Sequence, residues 1–523
     1  MPATIATPSD SATPLWPTLA IQHFFVRLLL LALLALVLAG CGEPVANDPL
    51  PLPTGDAWHA MYMRGKKVGA THTTVDQIEE EGETLIKQQS TSTLQVSRFG
   101  VPTTQTMTLL SVETPAGSVR RMKTLHAAAG MENLTEAKRI GNQLQITVST
   151  QGKQSTSSIP WSDNMRGYFG IENSLARQPM QPGESRTLKT FAPLVNQVID
   201  VKLQAKDFQQ VDLLDGQTQN LLRVEATTTS AAAGAEPIEM HSIYWVDDRG
   251  EPLRVRSESM EQETFRVPEE IALQPADESF DIGEDSVVKL AVSGRPIRDR
   301  DSASYIVVVE GGDPAKIFRP AVYQQVTPLD EKTARITVRS VSPDDLPAET
   351  TLKATLEPGD LEPNNLVQSD NPLVQRMAAK VSPGERDKWK LAKALEQYVA
   401  DTVDATNLTQ AVASAAEVAE SRQGDCTEHA VLLAALCRAR GIPSRVVVGL
   451  VYVPSLGGFG YHMWNEVAVG EAWLPLDATR PGETFAGHLK LLDTNLSGAT
   501  AFSSFLPVFQ VMGRLQVTLA DGR

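Results

Sequence analysis

Cysteine is scarce, with three residues in 523, so a disulfide scaffold is excluded. Basic charge is in deficit: 47 Lys and Arg face 63 Asp and Glu, for a formal net charge of −16. Phosphate recognition needs a basic face, so a nucleic-acid partner is not expected. Long apolar runs are missing too. The densest, Leu28 to Ala39, would span only about 18 Å as a helix, against a hydrocarbon core of about 30 Å. No phosphate-binding glycine loop occurs. Glycine (35) and proline (33) stay near average usage, which excludes collagen and a wholly disordered chain. What is present, 42% hydrophobic and 21% charged residues, reads as a soluble chain of two to four domains.

The short apolar run follows Arg27 and ends in Leu38-Ala39-Gly40-Cys41. A positive charge, a short apolar stretch and small residues describe a cleaved export signal. The final four residues resemble a bacterial lipobox. That resemblance implies a signal peptide over 1–40 and a lipidated Cys41 at the mature N-terminus. Residues 41–55, with Pro44, Pro49, Pro51 and Pro53, then read as a tether. The expected location is the cell envelope, lipid-anchored on the outer side of a bacterial membrane rather than spanning it.

From Trp58 to about Val267, short runs alternate branched, polar and aromatic residues, as in Leu144-Gln145-Ile146-Thr147-Val148 and Ile243-Tyr244-Trp245-Val246. Turn signals such as Gly65, Gly82, Gly141-Asn142 and Arg249-Gly250 separate them. This predicts an antiparallel β-rich domain over 56–275, with Thr227 to Gly234 as a loop. Its opening, Trp58 to Gly69, loosely resembles envelope β domains related to lipoprotein carriers. A second β-rich segment is expected over 276–345, its clearest strands at Tyr305–Val309 and Ala334–Val338. Residues 346–370, rich in Pro, Asp, Glu and Asn, read as a linker. His59, His72, His126 and His241 lack metal-ligand spacing and are expected to be surface or satisfied histidines.

From about residue 371 the pattern turns helical. Trp389, Ala392, Leu395, Tyr398 and Val399 fall on one face at threes and fours. A later helix opens at Asp425-Cys426-Thr427-Glu428, with Asp425 as N-cap of a capping box, and stops at Gly441. Cys426 is then the first helical residue, where the positive end of the helix dipole favours a thiolate. Cys437 lies about 16 Å along the same helix, too far to bridge Cys426, and reads as core.

Next come a strand over Ser444 to Val453, a second over Tyr461 to Val469 and a return over Ala472 to Asp477. A turn centred between Val469 and Gly470 would set His462 opposite Asp477, within reach of a carboxylate that orients an imidazole. Cys426, His462 and Asp477 are then nucleophile, base and orienter. His429, on the same helix as Cys426, is the rival base, with a structural reading favoured. His488 has no partner that the sequence names. Trp464 and Glu466 share His462's face and are expected to shape the pocket. The Cys426 backbone N–H, with Gln423 as a candidate second donor, would hold an oxyanion.

Gly424-Asp425-Cys426-Thr427-Glu428-His429-Ala430, Gly441-Ile442-Pro443-Ser444-Arg445, His462-Met463-Trp464-Asn465-Glu466 and Pro475-Leu476-Asp477-Ala478-Thr479 together resemble the transglutaminase-like superfamily core. The resemblance implies an α+β fold: a papain-like transglutaminase core over 371–523, preceded by antiparallel β-rich domains. It also implies Cys426, His462 and Asp477 as the catalytic triad. The expected function is thiol acyl transfer on an amide or peptide bond of a protein or peptide substrate, hydrolysis favoured over crosslinking, with no metal or organic cofactor. Two other readings stand beside it: a binding or scaffold lipoprotein with an idle triad, and a lipid-carrying β region.

Overall fold

A computed structural model of the chain describes residues 51–520, apart from 99, 129–130, 151–152, 194–195, 231–237, 259–260, 277, 291–296, 347–351, 405–412, 498–507 and 509–510. Cys41, the expected signal segment and most of the expected tether lie outside the described residues. No described helix is long and apolar enough to cross a membrane.

Alternation of apolar and polar side chains builds the first part of the fold. In the strand Gln197–Asp212, Val201, Leu203 and Ala205 are buried while Lys202 and Gln204 face outward, the period-two pattern of a sheet with one covered face. Fifteen such strands form one sheet. At its middle, Gly55–Met63 pairs antiparallel with Gln262–Val267. From there consecutive hairpins run outward on one side to Lys153–Pro160, and on the other back to Ser185–Ala192, which the short Met165–Arg166 joins in parallel. The first hairpin turns on Arg64 and Gly65, with φ of 48° and 77°. Positive φ at both central residues matches the right-handed twist of the strands it joins.

The two edge strands, Lys153–Pro160 and Met165–Arg166, are neighbours in the chain. The sheet therefore curls until its ends share a core, in which Val119, Met122, Leu144 and Ile146 from one side meet Phe191 from the other, with Trp161 between. Residues Thr227 to Ser230, expected in a loop, extend the strand Thr218–Ser230. β-Branched threonines suit a pleated ladder more than the low complexity of the stretch suggests.

The second part combines helices and two smaller sheets. Ser302–Val309, Thr333–Arg339 and Gln324–Pro328 form a four-stranded sheet whose fourth member is Leu515–Leu519, from the far end of the chain. Val288–Lys289 likewise joins the sheet of Gly458–Val469. Hydrogen bonding thus crosses the 345/371 division expected from the sequence. Residues of the expected linker are also packed: Val367 is fully buried and belongs to the same core as Leu432 and Val446. Local composition cannot reveal such long-range pairing.

The helices Pro372–Lys380, Lys388–Thr402, Ala415–Ser421 and Cys426–Ala439 gather against the five-stranded sheet. Cys426–Ala439 is the central one, buried from Glu428 through Arg438. In Lys388–Thr402 the buried face is Leu391, Ala392, Leu395, Glu396 and Val399, with Trp389 and Tyr398 at its margin. The inward turn of a carboxylate, Glu396, is the unexpected part, and the site explains it.

Candidate active site

Helix capping places Cys426. The Asp425 carboxylate accepts from the Thr427 N–H at 2.8 Å, while the Asp425 N–H donates to Glu428 Oε2 at 2.9 Å. This is the capping box expected from the sequence, and it satisfies donors that a helix start leaves free. Gly424 is required beside it, because a Cβ there would lie 2.2 Å from the Glu428 side chain. Burial, then the neighbouring Asp425, push Glu428 up to about 8. Cys426 is half-buried. Cys437, by contrast, is fully buried and its thiol pKa is pushed up by desolvation, as a core residue's would be.

His462 lies on the strand Gly458–Val469. That strand is tied to the cysteine helix by the buried Asn465, whose amide donates to the Ala430 carbonyl at 2.8 Å. The expected pairing of His462 with Asp477 is corrected here. Val469 pairs with Ala472 and Asn465 with Leu476, so the turn centres on Gly470 and Glu471, and the Ala472–Leu476 strand ends before Asp477. The displacement in register is two residues. An even shift keeps each side chain on its face, and the contact survives: His462 Nε2 donates to Asp477 Oδ2 at 2.8 Å. An ionised carboxylate only accepts, so it fixes the proton on Nε2 and leaves Nδ1 as the basic nitrogen. Cys426 is close enough to the same imidazole to help raise its pKa.

The electrostatics follow from burial around paired charges. Desolvation alone would lower the pKa of His462, but the Asp477 charge, its hydrogen bond and Cys426 outweigh it and raise the imidazole to about 10. Burial would raise Asp477, yet the His462 charge and the bonds from His462 and His488 hold it well below its ordinary 3.8.

Three residues around Asp477 were not assigned to it from the sequence. Thr479 donates its N–H and hydroxyl to Asp477 Oδ1, at 2.9 and 2.6 Å, and its hydroxyl lies 3.2 Å from His462 Nε2. Glu396 Oε1 accepts the Asp477 N–H at 2.8 Å, while Lys393 pairs with its other oxygen. Desolvation raises the pKa of Glu396 against the pull of that lysine. His488 Nε2 donates to Asp477 Oδ2 at 3.0 Å. The Asp477-Ala478-Thr479 spacing could have suggested the Thr479 loop. Nothing local points from Glu396 or His488 to Asp477.

The remaining expectations resolve simply. His429 Nδ1 donates to the Asp425 carbonyl at 2.7 Å, and burial lowers its pKa despite that bond, which makes it a residue of the helix turn. Trp464 lies 6.1 Å from the His462 ring at 21° and donates to the Tyr323 hydroxyl at 3.3 Å. Glu466 is fully buried and ion-paired with Lys490 at 2.7 Å and Arg445 at 2.6 Å, and it accepts from Tyr323 Oη at 2.8 Å. It therefore ties the sheets together. Gln423 is exposed and bridges to Asp404. Among the described residues, His462, Asp477 and His488 alone bring three ligand-type atoms together, within 4.8 Å. The two N–H···O bonds on Asp477 Oδ2 account for that convergence.

A family model described as the transglutaminase-like superfamily matches residues 375–478, the span holding Cys426, His462 and Asp477. Residues 375–478 are thus similar to that superfamily. The match supports a thiol-dependent kind of enzyme. No curated protein matches the chain. Among solved structures, a candidate cysteine protease from Cytophaga hutchinsonii is 18% identical, over 41% of this chain and 83% of its own, with a TM-score of 0.27. A β-barrel-like protein from Brucella abortus, with a domain of unknown function, is 9% identical over 42% and 97%, with a TM-score of 0.31. A candidate protease from Parabacteroides distasonis is 12% identical over 70% and 69%, with a TM-score of 0.18. At such TM-scores these likenesses carry no argument about the site.

Proposed function

We propose that the transglutaminase-like core is a thiol acyl-transfer enzyme acting on amide or peptide bonds, with Cys426 as nucleophile, His462 as acid and base, and Asp477 as orienter. The observation that carries this reading is the 2.8 Å bond from His462 Nε2 to the buried Asp477, on an imidazole whose pKa the neighbouring Cys426 also helps to raise. A helical layer presenting a thiol to a sheet that carries His and Asp is the arrangement of papain-like enzymes, and we assign the core to that plan.

In the proposed cycle, the Cys426 sulfur forms a bond to the carbonyl carbon while the oxygen takes up negative charge. The Cys426 backbone N–H at the helix start supports that charge. Collapse breaks the C–N bond, and His462 delivers its proton to the departing amine. Water then adds to the thioester, His462 takes its proton, and the C–S bond breaks to free the acid and the thiolate. We favour water over an amine as acceptor because bacterial members of the superfamily include proteolytic ones. Envelope anchoring through a lipidated Cys41 belongs to the same proposal. Metabolic incorporation of a fatty-acid probe, lost in Cys41→Ser, tests it, and equal labelling of both chains overturns it.

The decisive experiment is iodoacetamide labelling of Cys426 across pH, read by mass spectrometry, in the wild type and His462→Ala. Fast labelling at neutral pH that slows in the variant is expected. Slow labelling in both, rising only near the ordinary thiol pKa of about 8.5, would overturn the enzyme reading and favour a binding scaffold.

A further inference from the structure

Asp477 Oδ2 accepts from two imidazoles, His462 Nε2 at 2.8 Å and His488 Nε2 at 3.0 Å. Its other oxygen is occupied by Thr479. His488 is itself immobilised. It is almost wholly buried, tilted against Phe485 at 4.3 Å between ring centres, and meets Trp464 edge-on at 5.3 Å. Its Nδ1 has no hydrogen-bond partner among the described residues, so its one strong polar contact is the carboxylate. The charged and titratable groups that face it are Asp477 and His462, with the Arg480 charge also felt.

Packing alone does not require that bond. Phe485 and Trp464 would enclose an apolar ring of the same size equally well. A donor on Oδ2 does two things that packing cannot. It fixes the plane of the carboxylate that His462 needs, and its positive end, placed beside the imidazolium, opposes the hold of Asp477 on His462. A base held too tightly as its charged form is a poor acid, and the acylation step needs His462 to give its proton up.

We propose that His488 is a positioning residue that shares Asp477 with His462, aligning the carboxylate while limiting how firmly it retains the imidazolium proton. This rests on the thiol acyl-transfer reading above, and its failure is distinguishable from that reading's failure.

The test follows the pH dependence of iodoacetamide labelling at Cys426 in the full chain, for the wild type, His488→Phe and His488→Gln. His488→Phe keeps the ring volume and removes the donor; His488→Gln restores an N–H. We expect the upper limb of the reactivity profile, where His462 loses its proton, to move up by about half a pH unit or more in His488→Phe, and to return to the wild-type position in His488→Gln. A His488→Phe profile superimposable on a reactive wild type overturns this inference alone, as does a His488→Gln profile displaced as far as that of His488→Phe. A wild type without fast neutral labelling overturns the enzyme reading and this inference with it. Should His488→Phe fail to fold, 15N-histidine NMR of the wild type decides. Two downfield imidazole N–H protons are expected, both lost in Asp477→Asn, and finding one overturns the shared carboxylate.

Discussion

In the fifteen-stranded sheet, charged pairs sit where water still reaches them: Lys189–Asp200 leaves its partners 45% and 68% exposed, and Arg120–Glu83 leaves 39% and 57%. In and beside the five-stranded sheet the opposite holds. Glu466 and Lys490 are 0% and 1% exposed, and Asp477 and His488 are both 2% exposed. Exposed pairs are screened and contribute little. Buried charges cost several kcal/mol each unless every partner is in place. Where buried charged pairs accumulate in one region, perturbed titration marks a candidate site. The contrast teaches that both regions rest on apolar packing and that the second adds buried polar networks to it.

That comparison can be broken or sharpened by substitution. The largest effect is expected from Cys426→Ala, which should abolish covalent labelling and turnover; residual turnover would remove the thiol from the chemistry. Glu466→Ala comes next. It removes one of the two carboxylates paired with the buried Lys490, the other being Asp493, and should cost about 3–5 kcal/mol in a denaturant titration. A loss well below that would mean that the buried network relaxes as freely as a surface one.

A smaller effect should appear in the pH dependence of thermal stability. His462 is raised in the folded state from 6.5 to about 10, so its contribution is fully present below pH 6.5 and lost as pH rises through about 10. Asp477 is depressed below 3.8, so its contribution is present above that value and lost as pH falls through its lower folded value. The melting temperature should therefore fall toward both extremes, and Asp477→Asn should flatten both slopes. At the bottom of the scale, Lys189→Ala should leave the denaturation midpoint unchanged within error. A clear destabilisation there would erase the contrast between the two regions.

Legibility in the sequence followed the range of the interaction. The capping box at Asp425 and Glu428, the stop at Gly441 and the strands on either side of Gly470 depend on neighbours along the chain, and the sequence showed them. The hairpin of His462 was legible as a hairpin but not to the residue. The turn at Gly470 and Glu471 is displaced from its expected centre, and Asp477 reaches His462 from just beyond the strand. Glu396 could not be assigned to Asp477, because nothing local announces that a distant backbone N–H needs it. The stretch 346–370 read as a linker on composition, since its burial comes from elements far away in the chain.

The sequence by itself determined the β-to-helix change of pattern, the placement of Cys426 at a helix start and the four motif blocks that carry the family resemblance. These rest on periodicity, capping and local spacing, which act over a few residues. Tertiary structure alone decided that Leu515–Leu519 closes the four-stranded sheet, that the edges of the large sheet curl toward a common core, and that His488, Thr479 and Glu396 converge on Asp477. Each is a contact between residues whose side chains carry no mark of their partner, and a buried carboxylate recruits whatever donors the fold brings within hydrogen-bonding distance.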